Sequence, residues 1–281
     1  MSTGLSLVGG ATIIFVTGVV TAALITLLKP ALRRYALARP NARSSHAEPT
    51  PQGAGAAIIT MPIAVLLMLA VSNGATALIW PLQLAVALIV LAVIGALDDI
   101  WSMPVAMRLI GQIAAAGVIV HALPQSTPII PFLPYWVEMA GLVIGLVWFI
   151  NLTNFMDGID GITIVEMICI ATGIVLIAAI TGAENAMSVV PIAVGLIGAL
   201  LGFVPFNRHI ASVFMGDVGS LPIGALVGWM LIVVAIDGSI AAALLLPMYY
   251  LADATITLLR RLRRRERLYE AHRSHSYQLA V

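Results

Sequence analysis

Charged residues are scarce in this chain. Of its 281 residues only 10% are Asp, Glu, Lys or Arg, whereas 61% are hydrophobic. An ordinary soluble domain carries about 25% charged residues, so a water-exposed fold of usual composition is excluded. The solvent around most of this chain is therefore expected to be lipid.

Cysteine is almost absent as well. Cys169 is the single cysteine, so no disulfide can form within one chain. It lies in an apolar run, where a small buried thiol is expected rather than a redox or ligand role. The sequence shows no internal repeat and no separate soluble segment. We therefore expect one integral-membrane domain over residues 1–281, in which the basic tail at 260–281 contributes to the functional site.

Long apolar runs take the place of charge. The run at 5–28 exceeds the ~20 residues that cross a bilayer core, and its length favours a retained anchor over a cleaved signal. Because hydrocarbon offers backbone groups no partners, such runs must be helices. The sequence thus predicts an all-α, polytopic bundle of about nine membrane helices. They are expected near 5–28, 53–71, 78–97, 105–122, 135–153, 161–181, 188–206, 219–236 and 240–259.

The charges that remain are segregated. All fourteen Lys and Arg residues fall in or beside alternate connections, and the intervening connections carry only Glu138, Glu184 and Asp237. Basic residues favour the cytoplasmic side. We therefore expect the amino terminus outside, the carboxyl terminus inside, and the protein in the inner (plasma) membrane. The basic connections are 29–52, 98–104, 151–160, 205–218 and 260–281.

The first polar cluster is Asp98-Asp99, at the inner end of the third predicted span. Two adjacent carboxylates at a membrane helix end are costly unless a positive group meets them. A metal ion, a phosphate-associated cation or Arg108 are candidates. The alternative is that the pair caps a helix in interfacial water.

The second cluster runs from Asn151 to Gly161. Asn151, Asn154 and Asp157 recur every third residue, which places them along one ridge of a helix. Oxygen ligands suit Mg²⁺, which often uses only one or two protein groups plus substrate phosphates. Asp160 follows between glycines that allow close substrate approach. A plain Asn/Gly turn between two helices is the alternative.

The third cluster joins spans seven and eight. It contains Asn207, Arg208, Phe214 and the sequence Gly216-Asp217. Asp217 alone could be a helix cap. Combined with the other two clusters on one face, it completes the arrangement that a phosphate and divalent-ion site requires.

The basic tail has two parts. Six Arg residues occur in the eight positions 260–267, a density typical of anchoring to anionic lipid. The segment His272-Arg273-x-His275 offers donors suited to a pyrophosphate or sugar. A disordered end is the alternative for this segment.

Taken together, these four motifs resemble the polyprenyl-phosphate N-acetylhexosamine-1-phosphate transferases, of the glycosyltransferase 4 type. The resemblance implies transfer of a sugar-1-phosphate from a UDP-N-acetylhexosamine to polyprenyl (undecaprenyl) phosphate, with Mg²⁺ or Mn²⁺ as cofactor and UMP as product. It implies Asn154 and Asp217 as metal ligands. It also implies Asp98 and Asp99 as catalytic acids, one of which accepts a proton from the lipid phosphate or positions it. The implied substrate-binding residues are Arg108, Asn151, Asp157, Asp160, Asn207, Phe214, Gly216, His272, Arg273 and His275.

The resemblance also bears on partners and on the branch of the family. The bilayer and the two substrates are the expected partners, without nucleic acid, and a homodimer stays open. Ser212 stands where relatives often carry a basic residue. The tail lacks three consecutive His residues, which favours the branch that initiates O-antigen or related glycans over the muramoyl-pentapeptide transferases. Direct attack by the lipid phosphate is expected; a two-step route through an aspartyl intermediate is the alternative.

Two other functions compete with this one. An intramembrane prenyltransferase would also use the spacing of Asn154, Asp157 and Asp160, but it gives the third cluster no role. An ion-coupled transporter would use the acids as a relay, but it would place them near the bilayer midplane.

Overall fold

The computed structural model describes residues 6–38, 48–72, 79–123 and 128–264. Within these ranges the chain is mostly helical, with one short antiparallel strand pair, β1 (Leu37–Ala38) and β2 (Thr50–Pro51). The helices are α1 (Leu7–Tyr35), α2 (Gly55–Ser72), α3 (Ile79–Trp101), α4 (Val105–His121), α5 (Tyr135–Met156), α6 (Ile162–Thr181), α7 (Glu184–Asn207), α8 (Asp217–Ile236), α9 (Ile240–Leu245) and α10 (Met248–Arg263).

The helical membrane class expected from the sequence is confirmed. In the described part of the chain, 7 helices are long and apolar enough to cross a membrane, and α4 is an apolar helix of 17 residues. These eight helices correspond to the first eight predicted spans. The single helix expected at 240–259 is instead two, α9 and α10. Pro247 lies at the break, because a proline inside a helix removes one hydrogen bond and clashes with the preceding turn.

Helix α8 forms the centre of the bundle, and nearly all of its residues are buried. Small residues let its neighbours approach closely, as is common between membrane helices. A side chain at Gly95 of α3 would overlap the backbone of Asp217, and Gly55 of α2 packs directly on Gly219 of α8. Thr153 of α5 lies against Gly224. The start of α8 is thereby fixed against three other helices.

The ends of α3, α5 and α7 and the starts of α2, α4, α6 and α8 meet at one end of the bundle, which we call the polar end. The backbone amides of Gly53 and Ala54 donate to the carbonyl oxygen of Phe214 there, at 3.1 Å each. At the opposite end, Asp237 accepts from Asn185 and from the amide of Ala186. Four of the five connections predicted to share one side, 29–52, 98–104, 151–160 and 205–218, therefore meet at one end in their described parts.

Cys169 departs from expectation. The sequence predicts a buried thiol, but the side chain is exposed on the outer surface of α6. In a membrane helix an apolar surface can face lipid, so hydrophobic surroundings in sequence do not require burial in the protein.

Candidate active site

Asp99 connects the end of α3 to the beginning of α8. Its Oδ1 accepts from the backbone amide of Asp217 at 3.0 Å, and its Oδ2 accepts from the amide of Val218 at 3.1 Å. The first amides of a helix have no partner inside the helix and carry partial positive charge. A carboxylate satisfies both requirements. Asp99 therefore holds the turn from which the Asp217 side chain projects.

Two further features allow this contact. Gly216 has a φ of +75°, and a Cβ on it would lie 2.6 Å from Asp99 Oδ2, so both backbone conformation and space require glycine here. The side-chain amide of Gln52 donates to the backbone carbonyl of Asp99 at 3.1 Å. The backbone of Gln52 also pairs with the backbone of Phe214 in an isolated parallel β-bridge. The segment after β2 thus ties the first and third clusters together.

Asp98 faces a different partner. Its Oδ2 accepts from Arg108 Nη1 at 2.5 Å, and its Oδ1 accepts from the amide of Met103 at 2.6 Å. The same guanidinium nitrogen lies 3.6 Å from Asp217 Oδ2. Arg108, in the first turn of α4, therefore sits between two carboxylates and offsets their repulsion.

Asn154 brings the second cluster to the same place. It lies in the last turn of α5, and its amide nitrogen donates to Asp217 Oδ1 at 2.7 Å and to Ser220 Oγ at 2.9 Å. Asp217 therefore contacts α4 and α5 through its side chain and α3 through its amide. The bond from its backbone amide reaches a side chain 118 positions away in the sequence.

Asn151, one turn deeper, has a partner that the sequence analysis missed. Its amide nitrogen donates to Gln112 Oε1 at 2.6 Å, and Gln112 is only 3% exposed. An amide buried in an apolar helix needs a hydrogen-bond partner. The isolated Gln in the fourth predicted span was the available signal.

Asp160 and Asn207 join the loop after α5 to the loop after α7. Asp160 Oδ2 accepts from the amide of Ala211 at 3.0 Å. Asn207 Oδ1 accepts from the amide of Gly161 at 2.9 Å, and its side-chain amide donates to the carbonyl of Val213 at 3.2 Å. Both side chains are thus hydrogen-bonded to backbone groups. These bonds join the two loops into one wall beside the cluster.

Asp157 ends α5 and lies outside the apolar spans. Burial raises its pKa to about 6, the charge of Asp99 adds to the rise, and a hydrogen bond from Thr163 opposes it. Phe214, half-buried, has its backbone fixed by β2 and the segment that follows, because its amide donates to Pro51 at 2.8 Å. Its ring is thus carried by a fixed backbone.

The structure therefore brings most of the predicted residues together. Asp98, Asp99, Arg108, Asn154 and Asp217 form one connected network. Within the described ranges, no group of three or more His, Cys, Asp and Glu residues is arranged to hold a metal alone. The other predicted site residues that adjoin this network are Asn151, Asp157, Asp160, Asn207, Phe214 and Gly216. His272, Arg273 and His275 lie outside the described residues.

Comparison with known proteins covers the same region. The model of the family described as glycosyl transferase family 4 matches residues 81–235, which is 155 of 281 residues. This range includes every residue of the connected network.

Curated relatives match part of the chain. It is 37% identical over 119 residues to a phospho-N-acetylmuramoyl-pentapeptide-transferase of Streptococcus agalactiae, which is 40% of this chain and 34% of that protein. It is 34% identical over 146 residues to the protein of that name from Streptococcus thermophilus, or 50% of this chain and 41% of that protein. The matched part thus spans about a third to two-fifths of those relatives' length.

Proposed function

Because the chain belongs to glycosyl transferase family 4, we propose that it transfers N-acetylhexosamine-1-phosphate from a UDP-sugar to polyprenyl phosphate. The products are UMP and a polyprenyl-diphospho-sugar, the first lipid-linked intermediate of a glycan. The observation that carries this proposal is the convergence of Asp98, Asp99, Asn154 and Asp217 with Arg108 at one end of a membrane bundle. The named activity of the curated relatives supports the same reaction class.

Electrostatics explain why such a site suits this reaction. Both substrates are anionic, and negative charge develops on the departing nucleotide. Arg108 already lies between Asp98 and Asp217, so it is placed to contact a phosphate when a substrate competes for it. A polyprenyl tail needs contact with lipid, which the membrane location of the bundle provides.

The residues present fit Mg²⁺ or Mn²⁺. The donor set is oxygen-rich but sparse: the carboxylate of Asp217 and the hydroxyl of Ser220 both accept from the amide nitrogen of Asn154, and Asn154 offers its side-chain oxygen when that amide turns over. Magnesium typically takes one or two protein carboxylates and completes its shell with water and substrate phosphates. In this proposal Asp217 and Asn154 hold the ion, which when bound neutralises charge on the donor diphosphate.

The two acids of α3 have different surroundings, and this supports different roles. Asp99 fixes the start of α8 and thus the position of Asp217. Asp98, beside Arg108, is oriented where a lipid phosphate would bind. In this proposal one of these two carboxylates accepts the phosphate proton. The nucleotide is placed against Phe214, with its uracil stacked on the ring, and against the wall made by Asp160 and Asn207.

The distribution of charge supports a cytoplasmic site. Arg33, Arg34, Arg108 and Arg208 lie at the polar end of the bundle, whereas Asp237 and Glu184 lie at the opposite end. Basic residues favour the cytoplasmic side. We therefore place the polar end in the cytoplasm of a cell with the protein in its inner (plasma) membrane.

The donor sugar is a separate part of the proposal. The relatives named above are muramoyl-pentapeptide transferases, but the tail of this chain lacks three consecutive His residues. We favour a UDP-N-acetylhexosamine without a peptide, such as UDP-GlcNAc or a 6-deoxy sugar nucleotide, in O-antigen or related glycan synthesis.

A donor panel tests the proposal. Purified protein in detergent is mixed with polyprenyl phosphate, Mg²⁺ and one of several UDP-N-acetylhexosamines, including the muramoyl-pentapeptide form, and UMP and sugar-diphospholipid are measured. Both products with one donor support the proposal. No product with any donor contradicts the reaction class, and product with the muramoyl-pentapeptide donor alone contradicts the assigned branch.

A further inference from the structure

The end of the bundle opposite the polar end contains a cavity of about 240 Å³. Its walls come from α4, α5, α8 and the connection between α4 and α5, and Val120, Leu142 and Ile236 are among its apolar lining residues. Among the described residues that line it, Glu138 is the one that carries charge. Asn154 of the candidate active site lies sixteen residues further along α5, or about 24 Å along a helix. The cavity is therefore separate from that site.

The carboxylate of Glu138 is buried, and only one of its oxygens is used. Glu138 is 5% exposed, and its Oε1 accepts from the backbone amide of Ile129 at 2.7 Å. Within the described ranges no hydrogen bond or ion pair reaches Oε2, yet this oxygen is not enclosed by protein atoms. An ionised carboxylate can accept hydrogen bonds at both oxygens. Oε2 is therefore available to a donor from outside the protein.

The chain offers no basic partner for this oxygen. The connections at this end of the bundle contain no Lys or Arg. The other two acids at this end are accounted for, because Glu184 is exposed to solvent and Asp237 accepts a hydrogen bond at each of its oxygens. A buried carboxylate is costly without a positive partner. Glu138 is therefore the acid at this end that most requires a cation from outside the chain.

The surroundings of the cavity favour a lipid over a soluble cation. Phe132, Tyr135 and Trp136, on or beside the cavity, are each more than half exposed. Trp and Tyr concentrate where a bilayer meets water, so this end of α5 is expected at the level of the lipid headgroups. Apolar walls suit the carbon atoms of a headgroup, and a carboxylate oxygen suits a primary ammonium, which donates up to three hydrogen bonds. Phosphatidylethanolamine combines both features in one membrane component.

We propose that this cavity binds the ethanolamine headgroup of a membrane lipid, with the lipid ammonium paired to Glu138 Oε2. The site does not depend on the proposed transfer reaction, because it lies at the other end of α5 and shares no residue with the candidate active site. The bound headgroup contacts α4, α5 and α8 at once, so it also stabilises the packing of these helices by binding only their folded arrangement.

Glu138→Gln is the direct test, because Gln keeps an acceptor for the Ile129 amide and nearly the same volume but removes the negative charge. Phosphatidylethanolamine or phosphatidylglycerol with identical acyl chains is added to delipidated protein in detergent, and the first bound lipid is quantified by native mass spectrometry. We expect wild type to prefer phosphatidylethanolamine, and Glu138→Gln to weaken that binding about tenfold, the effect of losing one charge-assisted hydrogen bond. Absence of the preference in wild type, or an unchanged Kd in Glu138→Gln, would overturn the proposal.

Glu184→Gln is the matched control, since it makes the same change of charge at the same end on an exposed residue. It should bind phosphatidylethanolamine as wild type does, and an equal tenfold loss would show that only the overall charge of this end matters. Phosphatidylglycerol binding should be the same in wild type and Glu138→Gln. A parallel loss of both lipids in Glu138→Gln would contradict recognition of the ammonium.

Two further measurements keep the proposal open to refutation if Glu138→Gln does not fold. Leu142→Trp fills part of the cavity and leaves the carboxylate in place, so it should also weaken phosphatidylethanolamine binding; wild-type affinity in this variant would contradict the cavity as the site. Free ethanolamine, titrated into wild type, should bind far more weakly than the lipid because it has no acyl chains. Equal affinity for free ethanolamine would contradict a lipid as the occupant.

Discussion

Replacing Asp99 with Asn perturbs the contact between α3 and α8 while barely changing the volume of the side chain. The wild-type carboxylate accepts one backbone amide with each oxygen. Asn keeps one acceptor and presents an NH₂ group to the second amide, which leaves two donors facing each other. The start of α8 then loses both a hydrogen bond and a negative charge.

The size of the effect follows from these contacts. A hydrogen bond to a charged group contributes about 1.5–3 kcal/mol, and a carboxylate at a helix start contributes about 0.3–1 kcal/mol more. We therefore expect Asp99→Asn to lower the free energy of unfolding by about 2–4 kcal/mol. Turnover of the folded variant should also fall, by at least about 100-fold. Two causes act together: Asp217 moves with the start of α8, and one carboxylate of the proposed acid pair is lost.

Asp237→Asn provides the matched control. Asp237 also accepts from a backbone amide at the start of a helix, that of Ala186 at 2.6 Å, and from the side chain of Asn185. It lies at the other end of α8, about 30 Å away for 20 helical residues. Its variant should lose similar stability but retain turnover.

Thermal unfolding and UMP release, measured on both variants in the same detergent, test this reasoning. Near wild-type turnover in Asp99→Asn would refute the role of Asp99. A comparable loss of turnover in Asp237→Asn would show that activity merely follows stability.

Three further predictions follow from the site. Asp217→Ala should abolish UMP release at every Mg²⁺ concentration, because it removes the one carboxylate that is bonded to Asn154 among the described residues; rescue by excess Mg²⁺ would argue against this residue as the ligand. Phe214→Leu should raise the Kd for the UDP-sugar about tenfold, since base stacking on an aromatic ring contributes about 1–3 kcal/mol; an unchanged Kd by calorimetry would remove the uracil platform. Asp157 binds its proton more tightly in the folded protein, where its pKa is about 6, than in the unfolded chain. Its contribution to stability is therefore present below about pH 4 and is lost as pH rises through 6. The stability of wild type relative to Asp157→Asn should fall over that range in thermal unfolding, and a difference independent of pH would contradict the raised pKa.

The helices could be predicted because hydrocarbon imposes a simple rule on the sequence. Runs of about 20 apolar residues must be helical, and α1 to α8 all appear where such runs occur. The rule failed at α9 and α10. There a hydropathy window averages over Pro247 and over Asp253 and Thr257, which are buried on the inner face of α10. A helix that buries polar groups against the protein has no distinctive signal in such an average.

The candidate site could be predicted as a set of loops, but its internal contacts could not. Spacing placed Asp99, Asn154 and Asp217 at one end of the bundle, and the structure places them in contact. Nothing in the sequence indicated that Asp99 contacts the amides of α8. The partners Gln52 and Gln112 were missed because each is a single polar residue whose contact depends on the packing of distant parts of the chain.

The central claim is that Asp217 and Asn154 hold a divalent cation together with the diphosphate of a nucleotide sugar. Electron paramagnetic resonance of Mn²⁺, titrated into the purified protein with and without UDP-N-acetylhexosamine, tests it most directly. We predict one bound Mn²⁺ per chain that requires the nucleotide in wild type, and loss of that signal in Asp217→Ala under conditions where the variant remains folded. Equal nucleotide-dependent Mn²⁺ binding by wild type and Asp217→Ala would contradict the claim.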